Sequence, residues 1–163
     1  MKIYDFTAGS GEDIREAITR YILSRKWRAA YITGAVGSVT GMSFTTPVSN
    51  VLPLKTQAFS VDGAAEVVSF TGEVMLREQM DPALKTVYPE TDNPLFVHIH
   101  TSCAYEGGKV CGGGLAAGKA FRSLRVFLVC LDEEWHPGRG QGASISSGNN
   151  LTADVRPVPE LLL

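Results

Sequence analysis

Between Glu12 and Lys26, apolar residues recur as Ile14, Ala17, Ile18, Tyr21 and Ile22, the i, i+3, i+4, i+7, i+8 stripe of an amphipathic helix. Ser10 reads as its N-cap, and Asp13, three residues on, as the acid of a variant capping box. Glu12 and Asp13 open the segment while Arg25 and Lys26 close it, the charge order that the helix dipole favours. Elsewhere the pattern is that of strands. Lys2 to Phe6 predicts a short first strand. Ala29 to Val36 and Ser38 to Thr45 predict a strand pair or one bent strand, with Gly34, Gly37 and Gly41 marking turns or bulges.

Pro47 to Pro53 then reads as a loop and Lys55 to Ser60 as a short strand. Glu66 to Leu76, EVVSFTGEVML, is β-rich, with a bulge expected at Gly72. Residues 79–94 carry three prolines and predict a long loop, a natural docking segment for a partner protein. Leu95 to Ala104 is a further strand, Gly107-Gly108 a turn, and Lys109 to Cys111 pairs back across it. Ser123 to Leu131, SLRVFLVCL, reads as a buried strand. Beyond Asp132 the sequence becomes rich in Gly, Ser and Pro. This divides the chain into one domain, 1–132, and a C-terminal tail, 133–163, with little fixed structure expected. One helix among many strands, without βαβ alternation, predicts an α+β fold: a mixed, largely antiparallel sheet with one main amphipathic helix packed on it. The second sheet face is then left for a neighbouring subunit.

Composition narrows the class. A chain of 163 residues can bury a sizeable core, and 15 basic against 17 acidic residues give a net charge of -2, so no overall field draws in nucleic acid. Three cysteines, Cys103, Cys111 and Cys130, without CxxC spacing, suit reduced thiols. MKIYDFTAGSGEDI lacks an apolar signal core, and no apolar run reaches the ~18 residues of a membrane span, so the expectation is a cytoplasmic protein without membrane contact.

Candidate chemistry concentrates in VHIHTSCAYEGGKVCGGGL, residues 97–115. His98 and His100, two apart in a strand, leave the same face, and imidazole both ligates metals and titrates near neutral pH. A hydrogen-bonded interface pair and a metal or acid–base site are both open readings. Gly112-Gly113-Gly114 lacks the context of a phosphate-binding motif and points to close backbone packing. Arg20, Arg25, Lys26 and Arg28 form a basic group, joined by Arg122 and Arg125. It reads either as a nucleic-acid or partner contact or as a solvated helix end. Glu66 and Arg77 are an acid and a cation that could border a pocket together with the glycine run. No separate nucleophile or general base is identifiable, which leaves catalysis open.

The order of these pieces resembles the PPC domain (plants and prokaryotes conserved). The likeness runs through the opening helix, YITGAVGSVTGMSF (31–44), EVVSFTGEV (66–74), the His98-Ile99-His100 strand, the Gly107-Gly108 turn and Gly112-Gly113-Gly114-Leu115, over roughly residues 2–132. Bacterial members of that family are often provisionally named DNA-binding proteins. The resemblance implies a homotrimer with His98 and His100 near a subunit boundary, and a divalent metal such as zinc as the cofactor to consider. Gly114 stands where the family's run supplies a third histidine, so a third ligand would have to come from elsewhere, His136 or Cys111 being the candidates. Three functions follow as alternatives: a DNA-contacting regulatory trimer, a trimer binding a metal or small ligand (an enzyme included) through His98 and His100, and a protein-interaction scaffold.

Overall fold

A computed structural model describes residues 2–51, 54–82, 84, 88 and 91–132; the tail 133–163, His136 and part of the 79–94 segment lie outside the described residues. Among the described residues, five strands and one α-helix follow in the order β1 (Ile3–Gly9), α1 (Ile14–Ser24), β2 (Ala30–Pro47), β3 (Thr56–Leu76), β4 (Leu95–Tyr105) and β5 (Lys109–Cys130). The expected α+β class is what the structure shows. Every pairing between these strands is antiparallel, in keeping with the largely antiparallel sheet expected.

The strands run longer than the sequence pattern suggests. The runs over 29–45 form one bent strand, β2, of 18 residues, as one of the two expected forms had it, while segments expected as separate short strands merge into β3 and β5, of 21 and 22 residues. Register shifts between Thr40 and Met42 and between Val67 and Ser69 let such strands coil without breaking, because a bulge sharpens local twist. Gly72, expected at a bulge, is instead in regular register, opposite Ile32 on one side and Ile99 on the other. Its glycine identity has another cause: a Cβ there would stand 2.2 Å from the His98 carbonyl oxygen.

The strand order is β1-β5-β2-β3-β4, and β5 also pairs with β4. The second pairing closes β2, β3, β4 and β5 into a ring, with β1 added beside β5. Closure of this kind leaves β2 and β3 without a free edge, and β1, paired only with β5, is an edge strand of the sheet. Register sets two faces. Tyr4, Leu128, Ile32, Gly72 and Ile99 form one cross-strand row, and its large apolar members Leu128, Ile32 and Ile99 lie in the core. One residue along, Ile3, Val129, Tyr31, Glu73 and His98 form the next row, on the opposite face.

Helix α1 packs its Ile14, Ala17, Ile18 and Ile22 into the same core as Phe44, Val97 and Leu124. Its N-cap is Asp13, whose carboxylate accepts the Glu16 N–H at 3.0 Å; Ser10 instead donates its hydroxyl to the Phe121 carbonyl. The helix therefore begins two residues later than the acidic pair suggested. Phe6 stacks on Tyr21 at 4.6 Å, and Tyr4 meets Trp27 edge-on at 4.7 Å, pinning the helix to β1. No helix among the described residues is long and apolar enough to cross a membrane.

Gly72→Ala is expected to lower stability by about 1–3 kcal/mol, since the added methyl meets backbone rather than a flexible side chain. Chemical denaturation measures this; an unchanged midpoint would mean that β3 and β4 do not approach so closely.

Candidate functional site

Strand β4 alternates strictly. Leu95, Val97, Ile99 and Cys103 enter the core, whereas His98, His100 and Ser102 lie on the other face. On that outer face Phe96 is buried and stacks on the His98 ring, with centroids 5.5 Å apart and planes at 24°. Tyr88 meets both rings edge-on, at 4.9 Å from Phe96 and 5.6 Å from His98. Aromatic packing thus holds His98 in one orientation, while His100 remains exposed.

The polar connections are specific. Glu73, directly across β3 from His98, has its carboxylate 3.3 Å from His98 Nδ1. A carboxylate can only accept, so Nδ1 carries the proton and donates, leaving Nε2 of a neutral His98 with a lone pair. His100 Nε2 lies 3.1 Å from that nitrogen and, with His98 neutral, donates to it. Partial desolvation first, and the neighbouring His98 second, hold the His100 pKa below its ordinary 6.5, which favours a neutral His100. Behind the pair, Arg15 donates to the Val97 carbonyl at 3.0 Å, and burial depresses its pKa while the nearby Tyr88 opposes that shift.

Gly114 pairs with His100 on one side and Thr45 on the other. A Cβ on Gly114 would stand 2.9 Å from the Thr45 hydroxyl and 3.9 Å from the Tyr88 hydroxyl. The position without a side chain therefore adjoins the two histidines. Cys111 does not reach them. It pairs with Cys103 and packs against the core, so the structure removes it as a replacement ligand; His136 lies outside the described residues. Among the described residues no group of three or more His, Cys, Asp or Glu is placed to share a metal ion.

The other candidates are dispersed. Gly112, Gly113 and Gly114 are strand residues of β5 paired with Ser102, Thr101 and His100, not a phosphate cradle. Glu66 borders an open depression of about 270 Å³ together with Ser38, Tyr105 and Arg122. Arg77 borders a different one of about 330 Å³ with Glu78 and Asp92. The two residues sit at opposite parts of β3 and its exit, so they do not form one site. Arg20 is ion-paired with Glu12, and Arg25 lies over the Tyr4 and Tyr21 rings at 5.8 and 5.3 Å. Lys26 leaves the helix with φ 58°, and the Arg28 N–H donates to Asp132.

Glu73 was missed by the sequence reading. It is one acid among 17, and only the β3–β4 register identifies it as the partner of His98. Tyr88 and Arg15 likewise reach the histidine strand through tertiary contact.

With this geometry in view, comparison with solved structures finds the same fold in several proteins. A plant- and prokaryote-conserved protein of Pyrococcus horikoshii is 22% identical with a TM-score of 0.61, 80% of this chain and 79% of that chain being covered. A metal-containing protein of Archaeoglobus fulgidus is 21% identical at a TM-score of 0.59, with 80% and 79% covered. A protein of Bacteroides thetaiotaomicron, provisionally named as DNA-binding, is 10% identical at a TM-score of 0.58, with 79% and 78% covered. No curated protein matches the chain. The Plants and Prokaryotes Conserved (PCC) domain matches residues 1–132, four-fifths of the sequence, and the chain belongs to that family.

Proposed function

We propose that this chain forms a homotrimer that holds a divalent metal ion such as zinc on the outer sheet face, through His98 Nε2 and His100 Nε2. The observation that carries this reading is their 3.1 Å separation. Adjacent ligands of a tetrahedral zinc, each about 2.0–2.1 Å from the ion, stand about 3.3–3.4 Å apart. The two nitrogens already have nearly that spacing. Glu73 supports the reading independently, because its hydrogen bond to Nδ1 keeps the His98 Nε2 lone pair available and orients the ring. Ligation through His100 Nε2 uses the other neutral tautomer of that ring, in which the proton sits on Nδ1 and Nε2 offers its lone pair. Such a two-imidazole site is open, and the ion would supply Lewis acidity to a small ligand bound beside Gly114. That the Archaeoglobus protein is described as metal-containing lends weight to this reading. For the trimer, the supporting feature is the same outer face, where Ile3 and Tyr31 are 58% and 47% exposed and no described helix covers them.

Untagged full chain is expected to bind about one zinc per subunit and to run as a trimer in native mass measurement. His98→Ala and His100→Ala should each lose the stoichiometric metal, and Glu73→Gln should weaken it about 10–100-fold. Metal-free protein whose melting is unmoved by added zinc would overturn the assignment.

The pH dependence has a definite sign. Ligation needs neutral imidazole, and His100 stays neutral to a pH below its ordinary 6.5. Protonation of His100 itself should therefore begin only as acidification passes that lowered value. An NMR titration of the His100 ring in metal-free protein measures this, and a midpoint at or above 6.5 overturns it.

A second reading, DNA binding, is favoured by the naming of the Bacteroides relative and by Arg25, Lys26 and Arg28 at the end of α1. Against it, Arg20 is engaged by Glu12 and Arg125 by Asp5. If it holds, affinity for duplex DNA falls steeply with rising salt and weakens on Arg25→Ala or Lys26→Ala. An absence of binding at low salt eliminates it.

A further inference from the structure

Cys103 and Cys111 stand directly opposite each other where β4 pairs with β5, and both are unlinked thiols. Cα atoms of antiparallel partners are about 4.5–5.5 Å apart, inside the roughly 4.4–6.8 Å that a disulfide accepts. The two side chains share the core face. Cys103 is fully buried, whereas Cys111 is half-buried and packs at the margin of the core. Burial first, then the charge and hydrogen bond of Cys111, push the Cys103 thiol up to about 11, so it stays protonated at neutral pH. One thiol is thus within reach of solvent, and the other waits behind it in bonding position.

We propose that Cys103 and Cys111 form a modification site, a dithiol that a low-molecular-weight disulfide such as oxidised glutathione converts into a cross-strand disulfide. The Cys111 thiolate attacks one sulfur of the reagent. A mixed disulfide forms, the reagent's S–S bond breaks, and one glutathione thiolate leaves. Cys103 then gives up its proton to solvent and attacks the Cys111 sulfur, expelling the second glutathione. The two protein thiols lose two electrons, the reagent's disulfide gains them, and the two protons end on the released glutathiones. Because Cys103 is rarely ionised, the second step is slow and the mixed disulfide accumulates first. The finished bond would clamp the turn at Glu106–Gly108, and it would stiffen the β4–β5 seam three residues from both His100 and Gly114.

The full chain, reduced and freed of reductant, is incubated with oxidised glutathione while intact mass and thiol count are followed. The expected course is a transient gain of one glutathionyl group, then a net loss of two hydrogens and of two titratable thiols. Peptide mapping should join Cys103 to Cys111. Cys103→Ser should stop at the adduct on Cys111, with Cys103→Ala as a second form of that variant if a buried hydroxyl disturbs folding. Cys130→Ser should leave the course unchanged. Retention of all thiols, absence of the adduct in both Cys103 variants, or a linkage made by Cys130 or between chains overturns the proposal.

Discussion

The structure depends on β5 using both of its edges at once. One edge pairs with β2 from Gly114 to Cys130, while the other pairs with β4 and then β1. Gly114 is the crossing point, in register with Thr45 of β2 on one side and with His100 of β4 on the other. That double pairing turns an open sheet into a closed ring and decides which residues become core. Once the ring is closed, alternation sends Val97, Ile99 and Cys103 inward and leaves His98 and His100 outside. It also demands thin backbone at the seam, since a Cβ on Gly112 would stand 2.4 Å from the Thr101 carbonyl oxygen.

The outer face of that ring holds a short chain of polar groups whose protonation follows from what each can accept. Glu73 accepts from His98 Nδ1, and His98 Nε2 accepts from His100. Aromatic contact with Phe96 and Tyr88 on one side leaves little freedom for the His98 ring. Preorganisation of this kind matters more to ligation than the mere presence of two histidines, because a ligand set held near its bound spacing loses little entropy on binding.

Much of the fold was legible in the chain. The 3.6-residue stripe located α1, and the Gly107-Gly108 pair, at φ 70° and 84°, located the β4–β5 turn. The site was half legible: period-two spacing put His98 and His100 on one face and Cys103 on the other. Less visible were the strand lengths. The apolar runs on either side of Gly63 read as separate strands, yet Gly63, with positive φ, only bends a strand that continues. Nor could the N-cap be chosen by type alone, since Ser10 and Asp13 are both good caps and packing of Ile14 into the core selected the later one.

By itself, then, the sequence determined the local facts: which residues prefer helix, where the chain turns, and which neighbours along a strand share a face. These are set by dihedral preference and by the side-chain period, over a few residues at a time. Only the tertiary structure decided that Glu73 meets His98, that Cys111 faces Cys103 rather than the histidines, and that Gly114 adjoins Thr45 and Tyr88. Each of those contacts depends on the register between strands far apart in the chain. A shift of one residue would exchange the two faces, and the burial of the whole ring rather than any local segment fixes that register.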